Sequence, residues 1–439
     1  MSAAFFPLSP ALRRFASLSA LACIALALNG CGGGDRVSAY EPQRMVSFGD
    51  ENSLIDSYTD ASLLAADGVS PGTMKGLVYT VNTMAGVKVN ALCSDAAVPT
   101  GNTPYTACDA TNAGSGLTFD TASLIQWFVQ PSSANILTQV VHDTTSGHAS
   151  RRDNLYTWTC AGSVIWTQVI AHSFKLGYNS YNGAVGQCPT DQYSNAYTHA
   201  QFGARIAGTV TQINSHKGEL GSGPLVTIMA GQWDVLDMYA EVSNQTRTLD
   251  SAQAELKDRA NQLIAAVQAI TNAGGKVVVS FTPDLGESPK AHALGINGSN
   301  GVLYKLTNAL NNQLYQLGNN QVIPKQGRVV AIVNPETLTD VNTRSTSYTY
   351  GAALCPAVDS NDNTPTTAST TSLKDPLGRN VLTTSAGYDA DAAVKYCNTS
   401  STTLAGSTST YMWADHIHFG PLGHSLIGST GYSRANNQF

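Results

Sequence analysis

The chain has 439 residues, of which only 12% are charged and 42% hydrophobic, and its 24 Lys and Arg against 30 Asp and Glu leave a net charge of −6. This balance excludes the basic face of a nucleic-acid binder, and the apolar content excludes a highly charged disordered chain. The 39 glycines, with many Ser, Thr and Asn, predict a loop-rich protein, and no internal repeat is visible.

At the N-terminus, Arg13 and Arg14 precede an apolar run from Leu18 to Leu28. The run is too short to span a bilayer as a helix, which needs about 20 residues. A basic flank, a short apolar core and a small-residue exit describe an export signal. The exit, Leu28-Asn29-Gly30-Cys31, resembles a bacterial lipoprotein cleavage site. That resemblance divides the chain into a signal peptide (1–30), a lipidated flexible tether (31–43) and a single domain (44–439), with Cys31 as the lipidated residue. Gly at position 32, rather than Asp, implies the outer membrane by the same resemblance.

The domain then reads in order. Arg44 to Phe48 is a short strand ending at Gly49-Asp50. Residues 58–120 are turn-rich, and Leu124 to Val141 has helical periodicity. Leu225 to Ala230 is a buried strand ending at Gly231. Leu249 to Ala273 is a helix, with Leu256, Ala260, Leu263, Ile264, Val267 and Ile270 on one face and Gly274-Gly275 as its stop. Lys276 to Phe281 is a strand, Val302 to Leu317 a helix and Val329 to Val333 a strand. Insertions are expected near 58–120 and 340–410, the second including a polar stretch at 357–374. Short apolar strands alternating with amphipathic helices predict a parallel sheet covered on both faces. Functional residues of such sheets sit at the carboxyl ends of the strands.

Beyond Cys23 in the signal and Cys31, six cysteines remain: Cys93, Cys108, Cys160, Cys188, Cys355 and Cys397. An even number in an exported chain implies disulfides. Sequential pairing (93–108, 160–188, 355–397) is the expectation, because short loops close most easily.

Two segments carry candidate chemistry. Near the C-terminus, Asp415-His416-Ile417-His418-Phe419-Gly420-Pro421-Leu422-Gly423-His424 places an Asp three residues before a His. An Asp at that spacing can fix the tautomer of the imidazole and leave its other nitrogen as a general base. Near the N-terminus, Phe48-Gly49-Asp50-Glu51-Asn52-Ser53-Leu54-Ile55-Asp56 places a strand end before a turn.

Together these segments resemble the GDSL esterase/lipase family, also called SGNH hydrolases. Asn182-Gly183-Ala184-Val185-Gly186 and Gly231-Gln232-Trp233-Asp234 look like the family's second and third blocks, in the right order. The resemblance implies a three-layer α/β/α flavodoxin-like fold. It also implies a serine esterase acting on carboxylic esters, with no cofactor and no metal. Ser53 would be the nucleophile, His418 the base and Asp415 its orienting partner. The oxyanion donors would come from Gly186, Gln187, Gln232 and Trp233. Two positions depart from the family. Glu51 stands where the nucleophilic Ser directly follows Gly-Asp, and Trp233 stands where an Asn would donate to the oxyanion. Either Ser53 realigns as the nucleophile, or Glu51 has replaced it. In the second case the chain is a catalytically inactive relative that binds a glycan, lipid or protein partner. A metal held by Asp415, His416, His418 and His424 is the weaker alternative for the last segment. Asp284, after a strand, reads as a turn cap.

Overall fold

Met45–Gly49 (β1), Ala196–Thr198 (β2), Leu225–Met229 (β3), Lys276–Ser280 (β4) and Val330–Val333 (β5) are the strands of one sheet in the computed structural model. All four pairings are parallel, and the spatial order is β2-β1-β3-β4-β5. The structure describes residues 40–64, 71–82, 84–92, 141–142, 149–158, 165–179, 188, 191–221, 223–340, 345–355, 393–399 and 404–439. Residues Glu41–Phe439 form one unit; of the other, Met1–Tyr40, only Tyr40 is described.

The strands form where the sequence offers short apolar runs that can be buried on both faces. Every residue of β1 and β3 is buried, as a sheet covered on both sides requires. The register pairs Ser47 with Thr227 and Thr227 with Val278, so these three share one face; Phe48, Ile228 and Val279 share the other.

The helices are Trp166–Ser173 (α1), Ile206–Ser215 (α2), Gln232–Ser243 (α3), Leu249–Asn272 (α4), Val302–Leu314 (α5) and Pro421–Gln438 (α6). α6 packs on α1, and its Gly431 lies against Val278: a Cβ there would come within 3.3 Å of the valine Cγ1. On the other face Phe48 stacks on His199 at 5.6 Å and meets His216, at the end of α2, at 6.4 Å. The protein is thus mixed α/β, with helices flanking a central parallel sheet.

α4 shows why the periodicity is informative. Thr248 caps its start by accepting from the Ser251 amide. Leu256, Ala260, Leu263, Ile264, Val267 and Ile270 are buried, and Gly274, at φ +93°, ends it. α5 stops at Leu314 and continues as a 3-10 turn to Gly318.

Of the region 58–120, read as turn-rich, the described residues up to 92 instead contain strands, and 93–120 lie outside the described residues. Asp56–Leu64 pairs antiparallel with Pro71–Leu77, and Met84–Leu92 pairs antiparallel with Ala149–Trp158. The helix expected at 124–141 lies outside the described residues apart from Val141, which is in the strand Val141–His142. The polar stretch at 357–374 also lies outside them. Cys355 and Cys397 form a disulfide, as sequential pairing predicts. Cys188 is also disulfide-bonded. Cys93, Cys108 and Cys160 lie outside the described residues, as does Cys31.

Candidate functional site

The site is assembled at the carboxyl ends of β1 and β3, beside the point where the strand order reverses; open parallel sheets place their ligand crevices there. β1 ends at Gly49, whose φ of +132° and close approach to β3 leave no room for a side chain: a Cβ would fall 1.8 Å from the Met229 carbonyl oxygen. Gln212 of α2 clamps this glycine, accepting from its amide at 2.9 Å and donating to its carbonyl at 3.0 Å. Asp50 then caps a 3-10 turn over Glu51–Ser53, its Oδ1 accepting from the amide and the side chain of Asn52.

This turn decides which side chain meets the histidine. A 3-10 helix has three residues per turn, so residues 51 and 53 point in different directions. Glu51 Oε1 lies 2.9 Å from His418 Nε2. The Ser53 hydroxyl faces elsewhere and accepts from Trp166 Nε1 at 3.1 Å. The expected Ser53–His418 pair is therefore absent, and Glu51 holds the seat.

The histidine is fixed by its own loop. Asp415 Oδ1 accepts from the amides of Ile417 and His418 at 2.9 and 2.6 Å, and Oδ2 accepts from His418 Nδ1 at 2.7 Å. The Ala414 amide donates to the His418 carbonyl, closing the turn, and Pro421 then opens α6. The Asp-x-x-His spacing thus performs the orienting role expected of it.

The Glu51 carboxylate has two further donors. Trp233 Nε1, in the first turn of α3, donates to Oε1 at 2.7 Å and to Oε2 at 2.9 Å. The Gly203 amide donates to Oε2 at 2.9 Å. α3 is itself pinned. Gly231, at φ +118°, precedes it where a Cβ would meet Leu310 and Thr282 within 2.6 Å. Asp234 accepts from the Ile206 amide and from Arg259. Trp233, which departs from the family pattern, is thus matched to Glu51, which also departs from it.

Of the other expected donors, Gln232 does not reach Glu51. Its Oε1 accepts from Asn52 Nδ2 at 3.3 Å. Gly186 and Gln187 lie outside the described residues. The residue that sequence reasoning missed is Gly203. It follows β2 in Thr198-His199-Ala200-Gln201-Phe202-Gly203, and its signal was an Ala-x-x-Gly after a strand too short for its periodicity to register.

Glu51, Asp415 and His418 are each fully buried. Burial acts against a charged His418, but the charge and hydrogen bond of Asp415, and then those of Glu51, outweigh it and hold the imidazole well above its ordinary value. The ring is thus held between the side chains of Asp415 and Glu51, on Nδ1 and Nε2. Asp415 shows the converse: burial raises it, yet His418 and His416 bring it down to about 2. Asp50, buried and beside Glu51, is pushed well above the carboxylate range. His424, lowered to about 3 by burial and by His418, stays neutral. It accepts from the Trp166 amide at 3.4 Å, as a packing residue. His416 is likewise lowered to about 4, chiefly by burial.

With Nδ1 engaged by Asp415 and Nε2 by Glu51, neither ring nitrogen is left to act as a base on a third group, and the donors facing Glu51 are consumed by its own oxygens. Chemically the arrangement is a closed, charge-assisted ion triad. No protein-family model matches the chain, and no curated protein matches it. The class defined by the fold is a mixed α/β protein on a central five-stranded parallel sheet.

Proposed function

We propose that the chain is a divergent SGNH-like protein with a three-layer α/β/α flavodoxin-like core. It does not hydrolyse esters but binds a glycan, lipid or protein partner at the carboxyl edge of its sheet. We also propose that it is exported and tethered to the outer membrane through Cys31. The observation that carries the reading is the 2.9 Å contact between Glu51 and His418, with the Ser53 hydroxyl turned to Trp166. The strand order β2-β1-β3-β4-β5 is the flavodoxin-like one and supports the architecture.

The chemistry excludes the usual acyl transfer at Glu51. A carboxylate attacking an ester carbonyl gives a mixed anhydride rather than a stable acyl-enzyme, and both of its oxygens are already occupied by Trp233, Gly203 and His418. A largely buried aromatic cluster beside Trp233, reaching solvent at Phe202 and Arg205, supports binding instead. Tyr79 packs on Phe202 at 5.0 Å, Phe202 meets Trp233 edge-on at 5.8 Å, and Arg205 lies 5.5 Å over the Trp233 ring. Aromatic side chains commonly line ligand sites.

The test is labelling with a fluorophosphonate probe followed by peptide mapping. The wild-type chain should give no adduct. Glu51→Ser, which frees His418, Gly203 and Trp233 together, should give an adduct at position 51. A wild-type adduct on Ser53 that disappears in His418→Ala would restore the serine esterase and overturn the binding reading.

A further inference from the structure

On the face of the sheet that carries α2, three side chains converge away from the Glu51 triad. His199 follows β2, His216 caps the end of α2, and Glu219 lies in the 3-10 turn Lys217–Glu219. One carboxylate bridges both rings: Oε2 lies 2.9 Å from His199 Nε2 and Oε1 lies 2.8 Å from His216 Nδ1. The rings stack with centroids 3.4 Å apart, and the three ligand atoms all lie within 4.8 Å of one another. We infer that His199, His216 and Glu219 form a binding site for a divalent transition metal of the zinc class, with its remaining coordination positions open to solvent.

The donor set suits that class. Two imidazole nitrogens and a carboxylate oxygen are borderline ligands for Zn²⁺, at about 2.0–2.2 Å, and a hard ion such as Mg²⁺ prefers an all-oxygen shell. The three residues are carried on rigid parts of the fold. The His199 amide continues the sheet ladder by donating to the Ser47 carbonyl at 2.9 Å, and the His216 amide closes the last turn of α2 on Gln212 and Ile213. The buried Phe48 ring backs both imidazoles. Solvent reaches the cluster from the other side: the Glu219 and His216 side chains are about one-third exposed, at 32% and 33%.

The end of a helix is favourable to a cation, because the carbonyls of its last turn carry partial negative charge. Two cations oppose it. Arg44 holds the carbonyls of Glu219 and Gly221, and Lys217 begins the same 3-10 turn. A metal lies in the plane of each imidazole it binds, so the stacked rings must open. His216, at the helix terminus, can tilt about its Cβ–Cγ bond while each ring moves its proton to the other nitrogen, through solvent, freeing His199 Nε2 and His216 Nδ1 as ligands, and Glu219 swings from bridging the two rings to binding the ion. The bound metal would clip the edge strand β2 to the end of α2.

The experiment is titration of the untagged full-length chain with Zn²⁺ by calorimetry, with Co²⁺ absorption as a spectroscopic reporter and Mg²⁺ as the control ion. The expected result is one Zn²⁺ per chain, visible Co²⁺ bands of a nitrogen–oxygen site and no Mg²⁺ binding. His216→Ala and Glu219→Gln, both at partly exposed positions, should retain the circular dichroism of the wild type and weaken Zn²⁺ at least about tenfold. Absence of Zn²⁺ binding, or an affinity unchanged in both folded variants, would overturn the site.

Discussion

Glu51 is the residue on which the buried triad turns. It and His418 are both fully buried and in contact, and removing one member of a buried ion pair leaves the other uncompensated. Glu51→Gln is therefore expected to destabilise the fold by about 3–5 kcal/mol, measured by chemical denaturation at neutral pH; a loss below 1 kcal/mol would mean that the pair is not charged. The pH dependence has two limbs. His418 is raised above its ordinary 6.5, so its contribution is complete below that value and is lost as pH rises through the folded value. Asp415 is lowered from 3.8 to about 2, so its contribution is complete above about pH 4 and is lost as pH falls through 2. Nitrogen chemical shifts should accordingly find the His418 ring still doubly protonated just above its ordinary 6.5, and a neutral ring there would contradict the triad. Asp415 and His418 were legible from the sequence because their partnership is local. The choice between Glu51 and Ser53 was not, because it depends on the direction in which a three-residue turn presents its side chains.

At the scale of elements, the apolar runs at 225–230, 276–281 and 329–333 announced their strands, and 249–273 announced its helix. β2 escaped notice because three residues show no period. The strands Asp56–Leu64 and Pro71–Leu77 escaped because their residues mix Gly, Ser, Thr and charge without a clean alternation; Met84–Leu92 alternates over only Val87 to Ala91. The turn after β4 carries its own prediction. Asp284 caps the 3-10 turn Leu285–Glu287 by accepting from the Gly286 amide at 2.8 Å, as its position after a strand suggested. Burial, with repulsion from Glu336, Glu287 and Asp340, raises it to about 7. A carboxyl raised on folding opposes stability increasingly between its unfolded value and that pH. Asp284→Asn keeps the accepting oxygen and should stabilise the protein by about 1–3 kcal/mol above pH 7, with little effect at pH 4. An equal effect at both pH values would show that the carboxyl does not titrate as described.

At the scale of the whole molecule, the Cys355–Cys397 bridge closes a 42-residue separation beside the apolar cluster of Leu54, Tyr79, Val81, Leu354, Val394 and Ala414. Reducing it should lower stability by about 2–4 kcal/mol, seen as a drop in the melting temperature with reductant; Cys355→Ser with Cys397→Ser should reproduce the drop. The bridge holds Leu354 and Cys355, whose amides donate to the carbonyls of Trp413 and Ala414. It thereby braces the loop that carries Asp415 and His418. The Glu51–His418 contact spans 367 positions of sequence. Synthesis at about 5–20 residues per second separates the emergence of the two partners by roughly 20–70 s. Throughout that interval Glu51 lacks the histidine it hydrogen-bonds. The triad cannot close until the segment carrying Asp415 and His418 has been made, so its formation reports that this late segment has joined the first strand.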